Sequence, residues 1–481
     1  MKLYEMIDGK DMMLFGDDDI DVLGLEHNSS KVKKGDMFFC LKGTTSDGHN
    51  FVYEAIKNGA RAIVSEKRIE TPKNVANIVV GNTRRAMSEM ASEFYSNPSK
   101  DMLVVSITGT NGKTTTSYML ASIFEAARKK VGVIGTNGVL VGGKKIETAM
   151  TTPDPIELQK IFAYMREKGV EVIVMEMSAH ALFYQKNWGV MSDISIFTNL
   201  SEDHLDFFAN MEKYGKAKKM LFSSKASKVA VINMDDSFAQ SIIKDIDIPY
   251  LTVSKQATAD CFATSIINNF SNQTFDACGK DWKIKVNINM GGLFNISNAL
   301  CAIGAARLCG ISNQDIVLGL SNLQSVPGRF NIKFARGKKF IIDYAHTPDG
   351  LENILKACRE LLSNKESKLI SVFGCGGNRD ALKRPIMGDI STRLADVTII
   401  TSDNPRLENP QEIIEEIESG VTTEAVYYKE VDRVKAIQLA EKLAGSEDII
   451  VISGKGIENY MDIGGKKIPY SDQSVIDELG G

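Results

Sequence analysis

The sequence predicts an α/β protein of three domains. They are a small α/β N-terminal domain over 1–98, a central domain with a mostly parallel sheet over 99–328, and a Rossmann-like C-terminal domain over 329–481. Three observations carry this. A chain of 481 residues is too long for a single core. Short β-branched apolar runs alternate with helix-compatible segments from 102 onward, which is the pattern of parallel strands covered by helices. Two punctuating stretches, Ser96-Asn-Pro-Ser-Lys-Asp101 and Ser325-Val-Pro-Gly-Arg329, break that alternation.

In the first domain, 36–41 reads as a buried strand and 51–59 as a helix ending at Gly59. Residues 62–64 and 78–80 read as further strands. Residues 83–95 read as a helix because Ala86, Met90, Ala91 and Phe94 fall on one stripe. In the central domain the strands are 102–107, 131–134, 172–175, 194–197 and 229–232, and 116–127 is helix-compatible. Beyond 329, strands at 340–342, 369–373, 397–400 and 449–452 describe a separate doubly wound sheet. The acidic run 17–21 lacks the spacing of a Ca²⁺ loop and reads as a solvated loop.

Composition narrows the function class. Hydrophobic content of 43% and charged content of 25% are those of an ordinary globular protein. A net charge of −4 leaves no electrostatic footprint for nucleic acid, so no nucleic-acid partner is expected. An anionic ligand must therefore be held locally, by loops, metals and a few arginines. The first nine residues are too polar for a signal peptide, and no apolar run approaches the ~20 residues that span a bilayer. No membrane partner is expected. The seven cysteines are scattered, with no Cys-x-x-Cys pair, which suits buried thiols in a reduced cytoplasm. A cytoplasmic monomer is the expectation. Four of the five histidines, His49, His180, His204 and His346, fall in motif-like stretches, and His27 does not.

The central domain opens on its most informative stretch. The apolar run 102–107 leads into Gly109-Thr-Asn-Gly-Lys-Thr-Thr115, and a helical segment leads out. Strand, glycine-bearing turn, Lys-Thr and helix make a phosphate cradle. Its glycines let backbone N–H groups approach phosphate oxygens, and the helix start adds its positive end. Lys113 can reach terminal phosphates, and the Thr114 hydroxyl can bind Mg²⁺. This makes the central domain a P-loop-type ATPase domain. The spacing departs from the general P-loop, since only Thr110 and Asn111 separate Gly109 from Gly112.

Other candidates leave the carboxyl ends of predicted strands, where open α/β sheets bind ligands. Glu176 lies in Met-Glu-Met-Ser-Ala-His180, and His204 in Thr198-Asn-Leu-Ser-Glu-Asp-His204. Each has two readings. Glu176 is a metal-binding carboxylate or a helix N-terminal carboxylate, and His204 a ligand or a hydrogen-bonded cap. Lys218, in Tyr214-Gly-Lys-Ala-Lys218, reads on sequence alone as part of a solvated basic face. The C-terminal stretches Gly374-Cys-Gly-Gly-Asn-Arg379, Asp403-Asn-Pro-Arg406 and Gly454-Lys-Gly-Ile-Glu458 likewise follow strands.

The short Gly-Thr-Asn-Gly-Lys-Thr loop, with the segments just named, resembles the Mur ligase family over nearly the whole chain. The resemblance implies an ATP-dependent, ADP-forming amide ligase working through an acyl phosphate. ATP would be held by Gly109, Thr110, Asn111, Gly112, Lys113, Thr114 and Thr115, with Asn295, Asn298, Arg329 and Asp343 on the nucleotide side. Mg²⁺, at two positions in the family's pattern, would rest on Thr114, Glu176, His204 and a CO₂-derived carbamate on Lys218. Lys113, His204 and Lys218 would be the catalytic residues. Ser29, Thr44, Thr45, Ser46 and Asp47 resemble the family's uridine-side segment, and Thr151, Thr152, Ser178 and Lys186 its muropeptide contacts. The implied substrate is UDP-MurNAc-dipeptide, UDP-N-acetylmuramoyl-L-alanyl-D-glutamate, in peptidoglycan precursor synthesis.

The incoming amine would meet Arg379, Asp403, Asn404, Pro405, Arg406, Gly454 and Glu458. The Asp-Asn-Pro-Arg form resembles that of the branch adding meso-diaminopimelate. The chemistry agrees, because a second carboxylate on the amino acid suits an Arg fork. A surface ion pair is the other reading of Arg406. L-lysine or another amino acid is the alternative acceptor. The chain departs from the family's pattern at Ala179, Lys186, Asn331 and Ile457, the Lys186 change replacing a planar fork with a point charge.

Overall fold

The computed structural model describes residues 1–43, 46–148, 150–362, 364 and 366–480. Three α/β units follow one another along the chain, each with its own sheet and core. In the first, Met12–Phe15 pairs antiparallel with Ala76–Val80, and the strands Ala62–Ser65, Asp36–Phe39 and Gly24–Glu26 continue the sheet in parallel. Asp36–Phe39 and Ala62–Ser65 are buried at every position, as strands covered on both faces must be. The helix Thr83–Phe94 starts at Asn82, whose side chain accepts from Arg85 N–H, and buries Ala86, Met87, Met90 and Ala91.

The central sheet has eleven strands. At its middle, Leu103–Thr108 lies between Val172–Glu176 and Ser192–Phe197, both parallel to it. Three loops therefore leave one edge of the sheet side by side, and they carry Gly109, Glu176 and Thr198 onward. The helix Lys113–Ala126 starts directly on the loop, three residues before the helical stretch read from the sequence. The run Thr114-Thr-Thr116 lowers helix propensity, but all three are buried, and packing overrides that preference. Helix Phe294–Leu308 is buried on every side from Asn295 to Ala306 and packs against Lys113–Ala126. Its small residues, Ala299, Ala302, Gly304, Ala305 and Ala306, make that close approach sterically feasible.

The sheet is mostly parallel, with antiparallel additions at both ends. Cys261–Asn268, Gln273–Gly279 and Trp282–Ile288 extend one end, and Gly138–Val141 with Lys144–Ile146 the other. None of these was read from the sequence. In Gln273–Gly279 and Trp282–Ile288 buried positions alternate with more exposed ones, so these two lack the continuous apolar runs of the parallel strands.

The C-terminal sheet runs Asn331–Ala335, Lys338–Asp343, Ile449–Ser453, Leu369–Phe373, Val397–Thr401, Tyr427–Glu430. All pairs but the first are parallel. Across its carboxyl edge lies a buried ion pair. Arg433 donates from Nε and Nη2 to the two oxygens of Asp472 at 2.8 and 2.9 Å, and both side chains are fully buried. Arg433 also donates to the carbonyl of Ser453 at 2.9 Å, and Tyr470 donates to Asp472 at 2.7 Å. The guanidinium therefore ties the end of a sheet strand to the last helix, Asp472–Gly480. All seven cysteines are free thiols, and among the described residues no helix is long and apolar enough to cross a membrane.

Asp472→Ala leaves the Arg433 charge buried and unpaired. It is expected to destabilise the C-terminal domain by about 3–5 kcal/mol. The double variant Arg433→Met/Asp472→Leu is expected to recover most of that loss. Calorimetric unfolding of the three proteins checks this, and equal losses in the single and double variants would contradict it.

Candidate active site

The phosphate loop is held from behind by the neighbouring strand end. Thr110 N–H donates to the Asn199 carbonyl at 2.9 Å, and Asn111 N–H to Asn199 Oδ1 at 2.8 Å. Thr198 Oγ1 donates to the Asn111 carbonyl at 2.6 Å. The amides of Thr110 and Asn111 are thereby occupied. Gly112 stands at the helix N-cap with φ 84° and no side-chain cap, so the first turn of Lys113–Ala126 keeps its N–H groups for an anion. A Cβ at Gly112 would run into Asn298 Oδ1. Asn298 in turn donates to Asn295 Oδ1 at 3.0 Å, so Asn295 and Asn298 support the loop from the buried helix. Thr114 and Thr115 are buried in that first turn.

Two lysines converge on one carbonyl. Gly109 O accepts from Lys113 Nζ at 2.9 Å and from Lys218 Nζ at 2.7 Å. Lys113 also donates to the Thr110 carbonyl at 2.8 Å. Burial pushes the Lys218 amine well below the usual lysine range, and the positive Lys113 pushes it the same way, with Asp203 opposing. Burial also lowers Lys113, opposed by Glu176 and Asp203. The solvated basic face read for Lys218 from sequence is therefore wrong. The helix Met211–Lys219 turns Lys218 inward, over the ring of Tyr214 at 4.5 Å, and leaves Lys216 outside.

Glu176, 1% exposed, ends its strand beside the loop. Its two oxygens accept from Thr136 N–H at 3.1 Å and Thr136 Oγ1 at 3.0 Å. His204 has φ 56° and lies 3.3 Å from Asp203 Oδ2. Burial lowers its pKa against the pull of Asp203. Asp203 was missed in the sequence. Burial would raise its pKa, but His204, His346, Lys383 and Lys113 together hold it below the usual carboxylate range. Among the described residues no three His, Cys, Asp or Glu side chains gather into a metal cage. Glu176, His204 and the Thr114 hydroxyl nonetheless fit a hard cation that takes its remaining ligands from phosphate and water. Lys218 fits such a set only once its amine carries an anionic group.

Among the residues read from the sequence as muropeptide contacts, Thr152 Oγ1 donates to the Glu176 carbonyl at 2.9 Å and accepts from Ser178 N–H at 3.1 Å. Thr151 Oγ1 is 3.3 Å from Thr136 Oγ1, one step from Glu176. Lys186 pairs with Asp154 at 2.8 Å. These four candidates therefore form one group around Glu176. Ser29 stands apart in the first domain, donating to Glu54 at 2.8 Å. Asp47 accepts from His49 N–H at 3.0 Å and lies 2.6 Å from His49 Nδ1, which lowers its pKa. Ser46 is exposed, and Thr44 and Thr45 lie outside the described residues.

The C-terminal domain reaches the loop directly. Arg329 Nη2 lies 3.4 Å from Thr114 Oγ1 and its guanidinium stacks on Tyr344 at 4.7 Å. Asp343 is used internally, accepting from Phe330 N–H and Ala345 N–H at 2.8 Å each. Burial raises its pKa, with Arg329 opposing. Further along the edge, Gly454 has φ 115°, and a Cβ there would crowd Asp403 Oδ2. Asn404 donates to Glu458 at 2.8 Å, and the buried Lys455 donates to both Asn404 Oδ1 and Glu458 at 3.0 Å. Lys455, unremarked in the sequence, thus neutralises Glu458. Pro405 is buried. Arg406 has φ 52°, donates to the Gly377 carbonyl at 2.7 Å and forms no ion pair among the described residues. Arg379 is exposed on the same loop system. Among the described residues Arg406 makes no surface ion pair of the kind open to it from sequence, and its Nη1 is used by the Gly377 carbonyl.

Three family models match the chain. Mur ligase family, catalytic domain, matches residues 21–95; Mur ligase middle domain, 107–306; and Mur ligase, glutamate ligase domain, 328–456. A protein of Clostridium acetobutylicum named UDP-N-acetylmuramoyl-L-alanyl-D-glutamate–2,6-diaminopimelate ligase 1 is 42% identical, covering 100% of this chain and 99% of its own. A ligase of the same name, without the numeral, from Caldanaerobacter subterraneus is 40% identical over 100% of this chain and 99% of its own. A solved UDP-N-acetylmuramoyl-L-alanyl-D-glutamate–2,6-diaminopimelate ligase superposes with TM-score 0.71 at 30% identity, over 100% of this chain and 98% of that one. Folylpolyglutamate synthase of Mycobacterium tuberculosis, at 16% identity and TM-score 0.65 over 77% of this chain and 92% of its own, shares the fold. With its strand-end phosphate loop, its twin lysines on Gly109 and relatives matched from end to end, the chain belongs to the Mur ligase family.

Proposed function

We propose that this chain is an ATP-dependent, ADP-forming ligase that joins meso-diaminopimelate to UDP-N-acetylmuramoyl-L-alanyl-D-glutamate in cytoplasmic peptidoglycan precursor synthesis. The observation that carries the reading is the meeting of two sheet edges. The central phosphate loop faces the C-terminal loops, with Arg329 at Thr114 and Asp349 at Asn111. A phosphoryl donor on one edge and an amine on the other suit transfer through an acyl phosphate. The printed names of the full-length relatives support the same substrates. In this reading residues 1–98 anchor the UDP end, 99–328 hold ATP and the reacting carboxylate, and 329–481 bring the amino acid. Anchoring the remote UDP supplies binding energy that orients the reacting end.

The γ-phosphate passes to the D-glutamyl carboxylate, giving ADP and an acyl phosphate. The amine then attacks the acyl carbon, loses a proton, and phosphate departs. Lys113 and the first-turn amides stabilise charge on the transferring group. Thr114, Glu176, His204 and a carbamate on Lys218 would hold Mg²⁺, which supplies Lewis-acid neutralisation of phosphate oxygens. The carbamate forms when the neutral Lys218 amine adds to CO₂ and releases a proton. The depressed Lys218 pKa favours that neutral amine. Arg406 takes the second carboxylate of meso-diaminopimelate, and Asp403 faces its ammonium.

Lys113→Ala is expected to reduce substrate-dependent phosphate release at least about a hundredfold. Near-normal turnover in that variant would sink the assignment. Lys218→Arg keeps a permanent cation and is expected to be inactive, and wild-type rates are expected to fall in CO₂-stripped buffer and return with bicarbonate. Indifference to bicarbonate, with an active Arg variant, would refute the carbamate. In an amino acid panel, meso-diaminopimelate is expected to exceed L-lysine. Arg406→Ala is expected to weaken meso-diaminopimelate by about tenfold or more while leaving the weaker lysine reaction unchanged. Preference for lysine in the unaltered enzyme would overturn the choice of amine.

A further inference from the structure

Besides Thr114, which meets Arg329, Asn111 of the phosphate loop touches the C-terminal domain. Its backbone is fixed by Asn199 Oδ1 on the N–H, at 2.8 Å, and by Thr198 Oγ1 and Asn199 Nδ2 on the carbonyl, at 2.6 and 3.1 Å. The side-chain amide of this fixed peg donates to Asp349 Oδ2 at 2.6 Å. The same oxygen accepts from Ser201 Oγ at 2.9 Å. Asp349 stands in the first turn of helix Pro348–Glu360, where the positive helix end favours a carboxylate. Two neutral donors, Asn111 and Ser201, hold this carboxylate in place.

The helix that carries Asp349 packs on Leu369–Phe373 and Ile449–Ser453. The loops with Arg379 and Glu458 leave the ends of those strands. The position of the phosphate loop is therefore passed, through Asn111 and Asp349, to the loops of the amine side. Gly328 and Phe330, on either side of Arg329, have φ 71° and 46°. Backbone held in this region at a domain junction marks a candidate hinge.

We propose that Asp349 is a positioning residue, a latch whose contact with Asn111 and Ser201 holds the C-terminal domain closed on the loaded phosphate loop and so sets the amine at the acyl phosphate. The inference rests on the ligase reading above. Wild type, Asp349→Ala, Asp349→Asn and Ser201→Ala are compared by small-angle X-ray scattering with a non-hydrolysable ATP analogue, and in turnover. Asp349→Ala is expected to enlarge the radius of gyration. Asp349→Asn keeps an oxygen that accepts from Asn111 and is expected to restore it, while Ser201→Ala falls between.

In turnover, Asp349→Ala is expected to raise the amine KM about tenfold, with the ATP KM within about twofold of wild type. It is also expected to release phosphate in excess of peptide product, because an unlatched domain admits water. Unchanged scattering with unchanged amine KM overturns the latch, and so does an equal loss against ATP and amine. If wild type forms no peptide bond with any amine, the ligase reading fails, and the scattering comparison still decides whether Asp349 latches.

Discussion

The carbonyl of Gly109 is the point on which the site depends. It takes hydrogen bonds from Lys113 and Lys218 at once. Two buried ammonium groups on one oxygen repel each other, and desolvation penalises both. One of the two must therefore give up its proton easily, and it is Lys218, whose pKa falls well below the lysine range. That constraint favours the neutral form of the Lys218 amine. It also explains why the surrounding acids are placed as they are. Glu176 and Asp203 both act on Lys113, and Asp203 alone among them on Lys218. Two acids thus favour the charged form of Lys113, and one favours that of Lys218.

Keeping the two lysines together requires a rigid loop, and rigidity here comes from the neighbouring strand end. Thr198 and Asn199 occupy the amides of Thr110 and Asn111 and the carbonyl of Asn111. A P-loop of general length spends its backbone amides on phosphate. This shorter one spends two of them on its own scaffold and relies on the first helical turn for the anion. The loss of phosphate donors is offset by precise placement of Lys113. Internal pairing recurs in the C-terminal domain, where Asp343 accepts from Phe330 of the linker and from Ala345, and Glu458 is neutralised by Lys455.

Much of this was legible in the sequence, and the reasons differ by residue. Strands such as 369–373 and 449–452 were visible because parallel strands covered on both faces must be apolar throughout. The phosphate loop was visible because its glycines, lysine and threonine are adjacent in the chain. Lys218 was read as solvated because helix Met211–Lys219 carries several lysines, and only the packing of Tyr214 and Ala217 reveals which one turns inward. Asp203 and Lys455 went unnoticed because each acquires its partners from remote segments, His346 and Lys383 for one and Asn404 for the other. The antiparallel strands beyond residue 260 were missed because half their side chains face water.

Those remote partners also explain why the reaction centre is divided between domains. An acyl phosphate must be protected from water yet opened to two large substrates and an amino acid. A site built on one rigid sheet could not do both. Here the charged groups that favour phosphate, Lys113 and the uncapped helix start, belong to the central sheet. The fork that favours a carboxylate, Arg406, belongs to another sheet. Arg329 sits between them, at the linker, with its guanidinium held on Tyr344 and its tip at Thr114. A cation at that place is attracted by phosphate in the loop. In the proposed reading, nucleotide binding would therefore favour the closed arrangement, and the amine would enter a site that already holds the group it displaces.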